Sequence, residues 1–171
     1  MKRIIYPCLI LLVACSQPKQ GGLIYYNDCE SIKGWTTVTL SKEHAHSGVY
    51  SNKVDTIHPY GLVLRQTFKD ISPEKISVIN ASMWVYITPG SKGELVLEIR
   101  NHEGTIIHWA SKKFDTSTVV PNNWKLVSTK FVIKDSINKA DNVVAVYPWS
   151  TGKSDLFADD VKIEFITNGS H

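Results

Sequence analysis

Alternation of apolar and polar residues with a period of two runs through most of the chain after its first 22 residues. A period of two places successive side chains on opposite faces of a β-strand. Turn-forming pairs such as Ser47-Gly48 and Pro89-Gly90 separate the alternating segments, and no long segment has the period of an amphipathic helix. The pattern predicts strands over Leu23–Tyr26, Trp35–Leu40, Val49–Val54, Tyr60–Phe68, Ile76–Ile87, Glu94–Asn101, Thr105–Phe114, Trp124–Ile133, Asn142–Trp149 and Asp155–Ile166.

Short strands without helical crossovers are typical of all-β proteins built from antiparallel sheets. In a chain of 171 residues they predict one domain, a two-sheet β-sandwich with jelly-roll topology over residues 23–167. The alternation also predicts which side of two strands is buried. Two aliphatic rows are expected in the core, one formed by Leu95, Leu97 and Ile99 and the other by Met83, Val85 and Ile87.

The first 22 residues have a different character from the rest. Lys2 and Arg3 precede the mainly apolar run Ile4–Ala14, which is too short to span a bilayer as a helix, since that takes about 20 residues. The run matches a secretory signal, and its end, Leu12-Val13-Ala14-Cys15, resembles the lipobox of bacterial lipoproteins. The resemblance implies a signal peptide over residues 1–14, cleavage before Cys15, and lipidation of the Cys15 thiol with acyl chains such as palmitate.

Residues 15–22 then form the lipidated cysteine and a flexible polar tether. Because two or more acyl chains hold a protein durably on a membrane, we expect a membrane-anchored lipoprotein of the bacterial cell envelope, facing the periplasm or the cell surface. The alternative is an ordinary secretory signal with an incidental cysteine. Removal of Cys8 and lipidation of Cys15 leave Cys29 as the only thiol, so we expect no intramolecular disulfide and a small buried side chain at Cys29.

Charge and composition exclude two classes of protein. The formal net charge is +3, and the two basic residues of the signal account for all but +1 of it. Little positive charge therefore remains to neutralise phosphates, which excludes an electrostatic nucleic-acid binder. A hydrophobic content of 43% with 20% charged residues excludes a disordered chain.

Short motifs in a fixed order resemble the carbohydrate-binding modules of families 4, 9 and 22, which are galactose-binding-like jelly rolls. They are Asn27-Asp28-Cys29-Glu30 followed by Gly34-Trp35, then Ala45-His46-Ser47-Gly48-Val49-Tyr50-Ser51, and finally Phe157-Ala158-Asp159-Asp160-Val161. The resemblance spans nearly all of residues 24–166 and is more specific for the fold than for sugar binding. It implies a galactose-binding-domain-like sandwich that binds a polysaccharide or oligosaccharide without catalysis.

The resemblance also implies a structural calcium ion, Ca2+, held by Asp28, Glu30 and Asp159 together with backbone oxygens near Gly48. Calcium takes six to eight hard oxygen ligands, and three acids from distant segments would repel one another without a cation. The alternative is that Asp28 and Asp160 are solvated and Glu30 pairs with Lys53.

The position of Asp159 in its strand also favours a bound cation. Asp159 shares parity with Val161, Ile163 and Phe165, so we expect its carboxylate on the inward-pointing row. A carboxylate there is costly unless something neutralises it.

Aromatic and planar polar side chains share the outward faces of two predicted strands. Trp84 and Tyr86 lie on one strand, and Glu98 and Arg100 lie on the other. Aromatic rings stack on the apolar faces of sugars, and carboxylates and guanidinium groups bind hydroxyls. We therefore expect these four residues to line one hollow on a concave sheet.

Further aromatics extend this candidate site. Trp109, Tyr147 and Trp149 are expected beside it, whereas Trp35 and Trp124 occupy motif positions that pack against the sandwich. The alternative for any single tryptophan is a core or edge position. The loop His58–Gly61 is a second candidate site because its tyrosine could be exposed.

Catalysis is not expected. His44 and His46 have a spacing that suits a metal, but no third ligand is evident, and Glu94 and Glu98 do not form the paired acids of a glycosidase motif. We predict a non-catalytic glycan-binding lipoprotein, which could also have envelope protein partners. The alternative is a structural or protein-interaction sandwich in a cell-envelope complex. A groove with exposed aromatics favours a sugar ligand, and a flat apolar patch favours a protein partner.

Overall fold

The structure is a computed structural model, and it describes residues 23–37 and 39–167. Ten strands and one helical turn form the described part of the chain. In chain order the elements are β1 Ile24–Asn27, β2 Leu40–Ser41, β3 Ser51–Val54, β4 Leu64–Thr67, α1 Phe68–Ile71, β5 Ile76–Ile87, β6 Lys92–Arg100, β7 Ile106–Asp115, β8 Trp124–Val132, β9 Val143–Ser150 and β10 Leu156–Thr167. The signal peptide, the tether and the lipidated Cys15 lie outside the described residues.

The strands form two antiparallel sheets. The six-stranded sheet has the order β2-β3-β10-β5-β8, with β1 also paired to β10, and the four-stranded sheet has the order β4-β9-β6-β7. Apart from the consecutive pairs β2-β3 and β6-β7, neighbours in each sheet come from distant parts of the sequence, as jelly-roll connections require. The predicted fold class, an all-β two-sheet sandwich of jelly-roll type, is confirmed.

The inner faces of the two sheets enclose a single aliphatic core. Leu95 and Leu97 of β6 and Met83 and Val85 of β5 are completely buried there, as the alternation predicts. Each such side chain stabilises the fold by about 1.5–3 kcal/mol relative to an exposed position. Strand β6 is buried on both faces, because the outward-facing Val96 also packs in a second small cluster with Tyr147.

The helical turn α1 ends the strand that the sequence predicts over Tyr60–Phe68. The Thr67 hydroxyl accepts a hydrogen bond from the backbone N–H of Asp70 and so caps the turn. Phe68 and Ile71 of α1 are buried in the core. Among the described residues, no helix has the length and hydrophobicity that crossing a bilayer requires.

A bulge in β10 changes the expected face of Asp159. The pairing of β10 with β5 shifts between Asp159 and Lys162, and Asp160 adopts a φ of 48° within this interruption. A bulge of this kind reverses the parity of the residues on its two sides. Asp159 is therefore opposite Trp84 on the outward face of the six-stranded sheet, while Val161 enters the core. The predicted inward position of Asp159 is wrong, although its carboxylate is fully buried.

Candidate functional site

The outer face of the four-stranded sheet carries a cleft of about 470 Å³. We call it the aromatic cleft, and its lining residues are Tyr60, Val63, Arg65, Glu98, Arg100, Ile106, Trp109, Tyr147 and Trp149. The residues of β4, β6 and β9 project outward because they alternate with core residues, and Ile106 and Trp109 of β7 are the register partners of Arg100 and Glu98. Tyr60 and Val63 precede β4.

One row of register partners crosses the floor of the cleft. Arg65 of β4 is opposite Ala145 of β9, Ala145 is opposite Glu98 of β6, and Glu98 is opposite Trp109 of β7. The alanine is the smallest side chain of the row, and it is buried in a small cluster with Val96 and Tyr147. Strands lie about 4.8 Å apart, so the row spans about 14 Å from the first strand to the last. This width is sufficient for sugar rings to lie across the sheet.

Four aromatic side chains form a connected group along the cleft. Tyr60 and Trp149 have nearly parallel rings with centroids 6.2 Å apart, and Trp149 meets Trp109 edge-to-face at the same distance. Tyr60 also meets Tyr147 edge-to-face at 5.8 Å. Tyr60 is 55% exposed and Trp109 is 44% exposed, so ring surface is available to a ligand. Such exposed rings suit stacking on the apolar faces of sugars.

A polar triad of the buried Glu98, the buried Tyr147 and the partly exposed Arg100 lies beside the aromatic group. The Glu98 carboxylate accepts a hydrogen bond from Nε of Arg100 at 2.5 Å and from the Tyr147 hydroxyl at 3.2 Å. Burial and the neighbouring Glu98 carboxylate raise the pKa of Tyr147 to about 12, so the phenol stays protonated and donates. The Glu98 hydrogen bond likewise raises the pKa of Arg100. The triad fixes the orientation of polar groups that can bind sugar hydroxyls.

The residues predicted from the sequence to bind a ligand lie on two different sheets. The structure brings Glu98, Arg100, Trp109 and Tyr147 together in the aromatic cleft, with Trp149 beside them. Trp84 and Tyr86 belong to β5 of the other sheet and face away from the cleft. The expectation that these two share one hollow with Glu98 and Arg100 is therefore wrong. Strand alternation gives the face of a side chain but does not say which sheet the strand joins.

The loop between β2 and β3 covers Trp84 and Tyr86. His46 stacks on Trp84 with centroids 3.9 Å apart, and His44 stacks on Tyr86 with centroids 4.1 Å apart. Trp124 also contacts Tyr86, in agreement with its predicted structural role. The two histidines thus act as covering side chains, and the protein's own loop occupies the faces that a sugar would need.

The acids predicted to bind calcium lie around the turn at Gly48, and each of them accepts at least one hydrogen bond from a backbone N–H group. Asp159 accepts hydrogen bonds from the backbone N–H groups of His46, Ser47 and Asp160, over 2.8–3.2 Å. Oε1 of Glu30 accepts from the N–H groups of Val49 and Tyr50, both at 2.7 Å.

Asp28 is similarly engaged, because its Oδ1 accepts the N–H of Glu30 at 3.1 Å. Burial raises the pKa of Asp159, and the N–H donors only partly offset that effect. These N–H donors stabilise the charged form of the carboxylates, which is the role for which the sequence predicted a cation. Within residues 23–37 and 39–167, no group of three or more His, Cys, Asp or Glu side chains is arranged to hold a metal ion. The structure therefore does not confirm the calcium site predicted at Asp28, Glu30, Gly48 and Asp159.

Cys29 lies beneath this turn as a buried free thiol, as the sequence predicts. Burial raises the pKa of the Cys29 thiol, and the nearby Asp159 carboxylate raises it further. A nucleophilic role is therefore disfavoured.

The aromatic cleft includes residues that the sequence did not predict as one site. Arg65, Val63 and Ile106 were not predicted as site residues, and Tyr60 was predicted in a separate loop site. An isolated bridge between Tyr60 and Trp149 joins that loop to the cleft. The alternation within the predicted strand Tyr60–Phe68 contained the signal for Arg65, since Leu64 on one face implies the opposite face for its neighbours.

The chemistry of the cleft favours binding over hydrolysis. Glycoside hydrolysis needs two carboxyl groups on either side of the scissile bond. Glu98 is the only carboxylate among the described residues that line the cleft, and Arg100 and Tyr147 already engage it.

Comparisons with known proteins establish the fold. No protein-family model matches the sequence, and no curated protein is significantly similar to it. The chain is similar in structure to the C-terminal family 22 carbohydrate binding module of Clostridium thermocellum Xyn10B, with a TM-score of 0.63 and 18% identity over 91% of this chain and 99% of that one. It is also similar to the CBM22-1 xylan-binding domain from Paenibacillus barcinonensis Xyn10C, with a TM-score of 0.58 and 16% identity over 85% and 95% of the two chains.

A third similar structure contains both a module and an enzyme. It is the CBM22-1 and GH10 portion of Clostridium thermocellum endo-1,4-beta-D-xylanase 10B, complexed with xylohexaose. The TM-score is 0.60 at 14% identity, and the match covers 86% of this chain but 29% of that one. The described domain has the fold of carbohydrate-binding modules, and it matches complete modules over nearly their whole length. These matches agree with the prediction that the chain is not an enzyme.

Proposed function

We propose that the protein is a non-catalytic glycan-binding lipoprotein that holds a polysaccharide or oligosaccharide in the aromatic cleft. One observation carries this proposal: exposed aromatic rings line a concave depression beside a fixed polar triad. Trp109 and Tyr60 offer ring surface, and Glu98 and Arg100 offer hydrogen-bonding groups. Ligand sites are usually concave, with apolar walls and a few oriented polar groups.

The identity of the structural neighbours supports a first choice of ligand. Two of the similar modules are described as xylan-binding or as complexed with xylohexaose. We therefore propose a plant-type β-linked polysaccharide such as xylan as the first ligand to examine. The aromatic group supports this choice, because an extended chain can place successive sugar rings on Trp109 and Trp149.

The location of the protein is part of the proposal. The lipobox-like segment before Cys15 supports lipidation, an anchored protein and an extracytoplasmic domain. In a bacterial host, Cys15→Ser expressed from the full-length sequence is expected to move the protein from the membrane fraction to the soluble fraction. A variant that remains in the membrane fraction to the same extent as wild type would contradict the anchor.

Binding to a panel of neutral and acidic polysaccharides tests the function. Affinity electrophoresis should show retardation of the wild type by at least one polymer, with xylan first among them. Trp109→Ala is expected to weaken that binding by tenfold or more, about 1.4 kcal/mol, because it removes an exposed stacking surface. Val132→Ala is a matched control, since Val132 is exposed on the opposite sheet. Binding to no polymer would favour the alternative, a protein-interaction domain of the cell envelope.

A further inference from the structure

Three charged side chains line the aromatic cleft, and two of them neutralise each other. Glu98 and Arg100 form an ion pair with a distance of 2.5 Å between Nε and Oε1. Arg100 also donates from Nη1 to the carbonyl oxygen of Gly104 at 2.9 Å. The cleft therefore keeps one positive charge that this pair does not balance, and that charge belongs to Arg65.

Arg65 is placed so that it can meet a ligand. It is exposed on β4, and the structure gives it no hydrogen bond or ion pair with any described residue. Its row of register partners continues through the buried Ala145 to Glu98 and Trp109. Arg65 and the exposed indole of Trp109 thus line the same cleft from the two ends of this row. A chain whose sugar rings reach Trp109 passes within reach of Arg65.

We propose that the aromatic cleft selects glycans that carry carboxylate groups, that is, uronic acid residues, and that Arg65 binds the sugar carboxylate. This inference rests on the proposed glycan-binding function. Guanidinium groups bind carboxylates with two parallel N–H···O bonds, a planar geometry that neutral hydroxyls do not match. Arg100 cannot take this role in the same way, because Glu98 and Gly104 already fix its orientation.

The size of the expected effect follows from the exposure of Arg65. Ion pairs at exposed positions contribute about 0.2–1 kcal/mol, so one pair gives a preference of up to about fivefold. Salt screens charges at such positions, and the preference is expected to fall when the ionic strength rises from about 0.01 M to about 1 M. Stacking on the aromatic rings does not depend on salt in this way, so the two contributions can be separated.

The test compares polymers that differ only in their carboxylates. Glucuronoxylan, polygalacturonate and alginate are each measured beside the same polymer after chemical reduction of its carboxyl groups to neutral alcohols. Wild type is expected to bind at least one acidic polymer about three- to fivefold more tightly than its reduced partner. Arg65→Gln is expected to bring that ratio to about one, and Arg65→Lys is expected to keep part of it. Lys130→Gln removes a lysine from the opposite sheet and is expected to leave the ratio at the wild-type value.

The outcomes distinguish a failure of the proposed role of Arg65 from a failure of the proposed glycan-binding function. Equal binding of acidic and reduced polymers by wild type would overturn the role of Arg65 and leave glycan binding intact. If Arg65→Gln still prefers the acidic polymer over its reduced partner, another residue binds the sugar carboxylate, and the inference is also overturned. Binding to none of the polymers would overturn both the inference and the proposed function.

Discussion

The imidazole ring of His46 lies on the indole ring of Trp84, with centroids 3.9 Å apart and planes 16° from parallel. The same imidazole forms a hydrogen bond with Asp160, whose Oδ2 lies 2.5 Å from Nδ1 of His46. Asp160 also accepts hydrogen bonds from the hydroxyls of Tyr26 and Ser47 through Oδ1. One carboxylate in the bulge of β10 therefore fastens strand β1 and the loop after β2 to the six-stranded sheet.

This arrangement predicts an acid-sensitive contribution of Asp160 to stability. Burial alone raises the pKa of Asp160, but the hydrogen bonds from Tyr26, His46 and Ser47 outweigh burial and lower the pKa overall. An aspartate with a lowered folded-state pKa stabilises the fold above its unfolded pKa of about 3.9, and the contribution is lost as the pH falls through the folded pKa.

Asp160→Asn is therefore expected to lower the free energy of unfolding by about 1–2 kcal/mol at pH 7, with a difference from wild type that shrinks below about pH 4. Asparagine suits the test because it tolerates the positive φ of residue 160. Urea unfolding at a series of pH values measures the difference. Asp135→Asn, at an exposed position, should change stability by less than about 0.5 kcal/mol. A difference for Asp160→Asn that does not vary with pH would contradict the assignment.

Trp84 and Trp109 are expected to respond oppositely to truncation. Trp84→Ala removes a half-buried ring from contact with His46 and is expected to lower the free energy of unfolding by about 1–3 kcal/mol. Glycan affinity should stay at the wild-type value, since Trp84 faces away from the aromatic cleft. Trp109→Ala should lower glycan affinity with a smaller loss of stability, because its ring is 44% exposed. Calorimetry of binding and of unfolding on the same samples distinguishes the two, and a loss of affinity in Trp84→Ala would place the ligand on the other sheet.

The strands and the core rows could be predicted from alternation because burial on one face enforces a period of two. All the predicted strands have a counterpart, and Leu97 and Val85 lie in the core as expected. The segment Trp35–Leu40 is the weakest case, since only Leu40–Ser41 pairs as a strand there. The bulge at Asp160 was not predicted from alternation, because Leu156, Phe157 and Ala158 are all apolar and leave the parity of the strand ambiguous before Asp159.

The candidate site was only half predictable for a related reason. Which of the two sheets a strand joins depends on pairing between distant segments. Here β5 pairs with β10, whereas β6 pairs with β9 in the other sheet. Trp109 and Tyr147 could be nominated because aromatic rings stack on the apolar faces of sugars. Alternation could place Arg65 on an outward face, but an isolated arginine is ordinary on any exposed face and does not by itself indicate a site.

Calcium is expected to leave the stability of the protein unchanged. Asp159 and Glu30 accept hydrogen bonds from backbone N–H groups, and these donors stabilise the two carboxylates without a cation. The measurement is the melting midpoint in a chelator and in excess calcium. A native-state ligand at one hundred times its Kd would stabilise the protein by about 2.7 kcal/mol, which raises the midpoint by several degrees. Such a rise would restore the calcium site that the sequence predicts.

The turn at Gly48 provides a test of the Glu30 contact. Gly48 has a φ of 59°, and a Cβ atom there would overlap the carboxylate of Glu30. Gly104 has a φ of 85°, but a Cβ atom there would meet no atom within 4 Å. An alanine at either position carries the cost of a left-handed backbone, about 1–2 kcal/mol. Only Gly48→Ala also displaces Glu30 from the N–H groups of Val49 and Tyr50.

We therefore expect Gly48→Ala to lower the free energy of unfolding by about 2–4 kcal/mol and Gly104→Ala by about 1–2 kcal/mol, as measured by urea denaturation. The extra loss should be absent when Glu30 has already been removed, because the carboxylate is then no longer there to be displaced. The double variant Glu30→Ala with Gly48→Ala should thus be less destabilised than the sum of its single variants. Strict additivity, or equal losses in the two glycine variants, would show that Glu30 does not hold this turn.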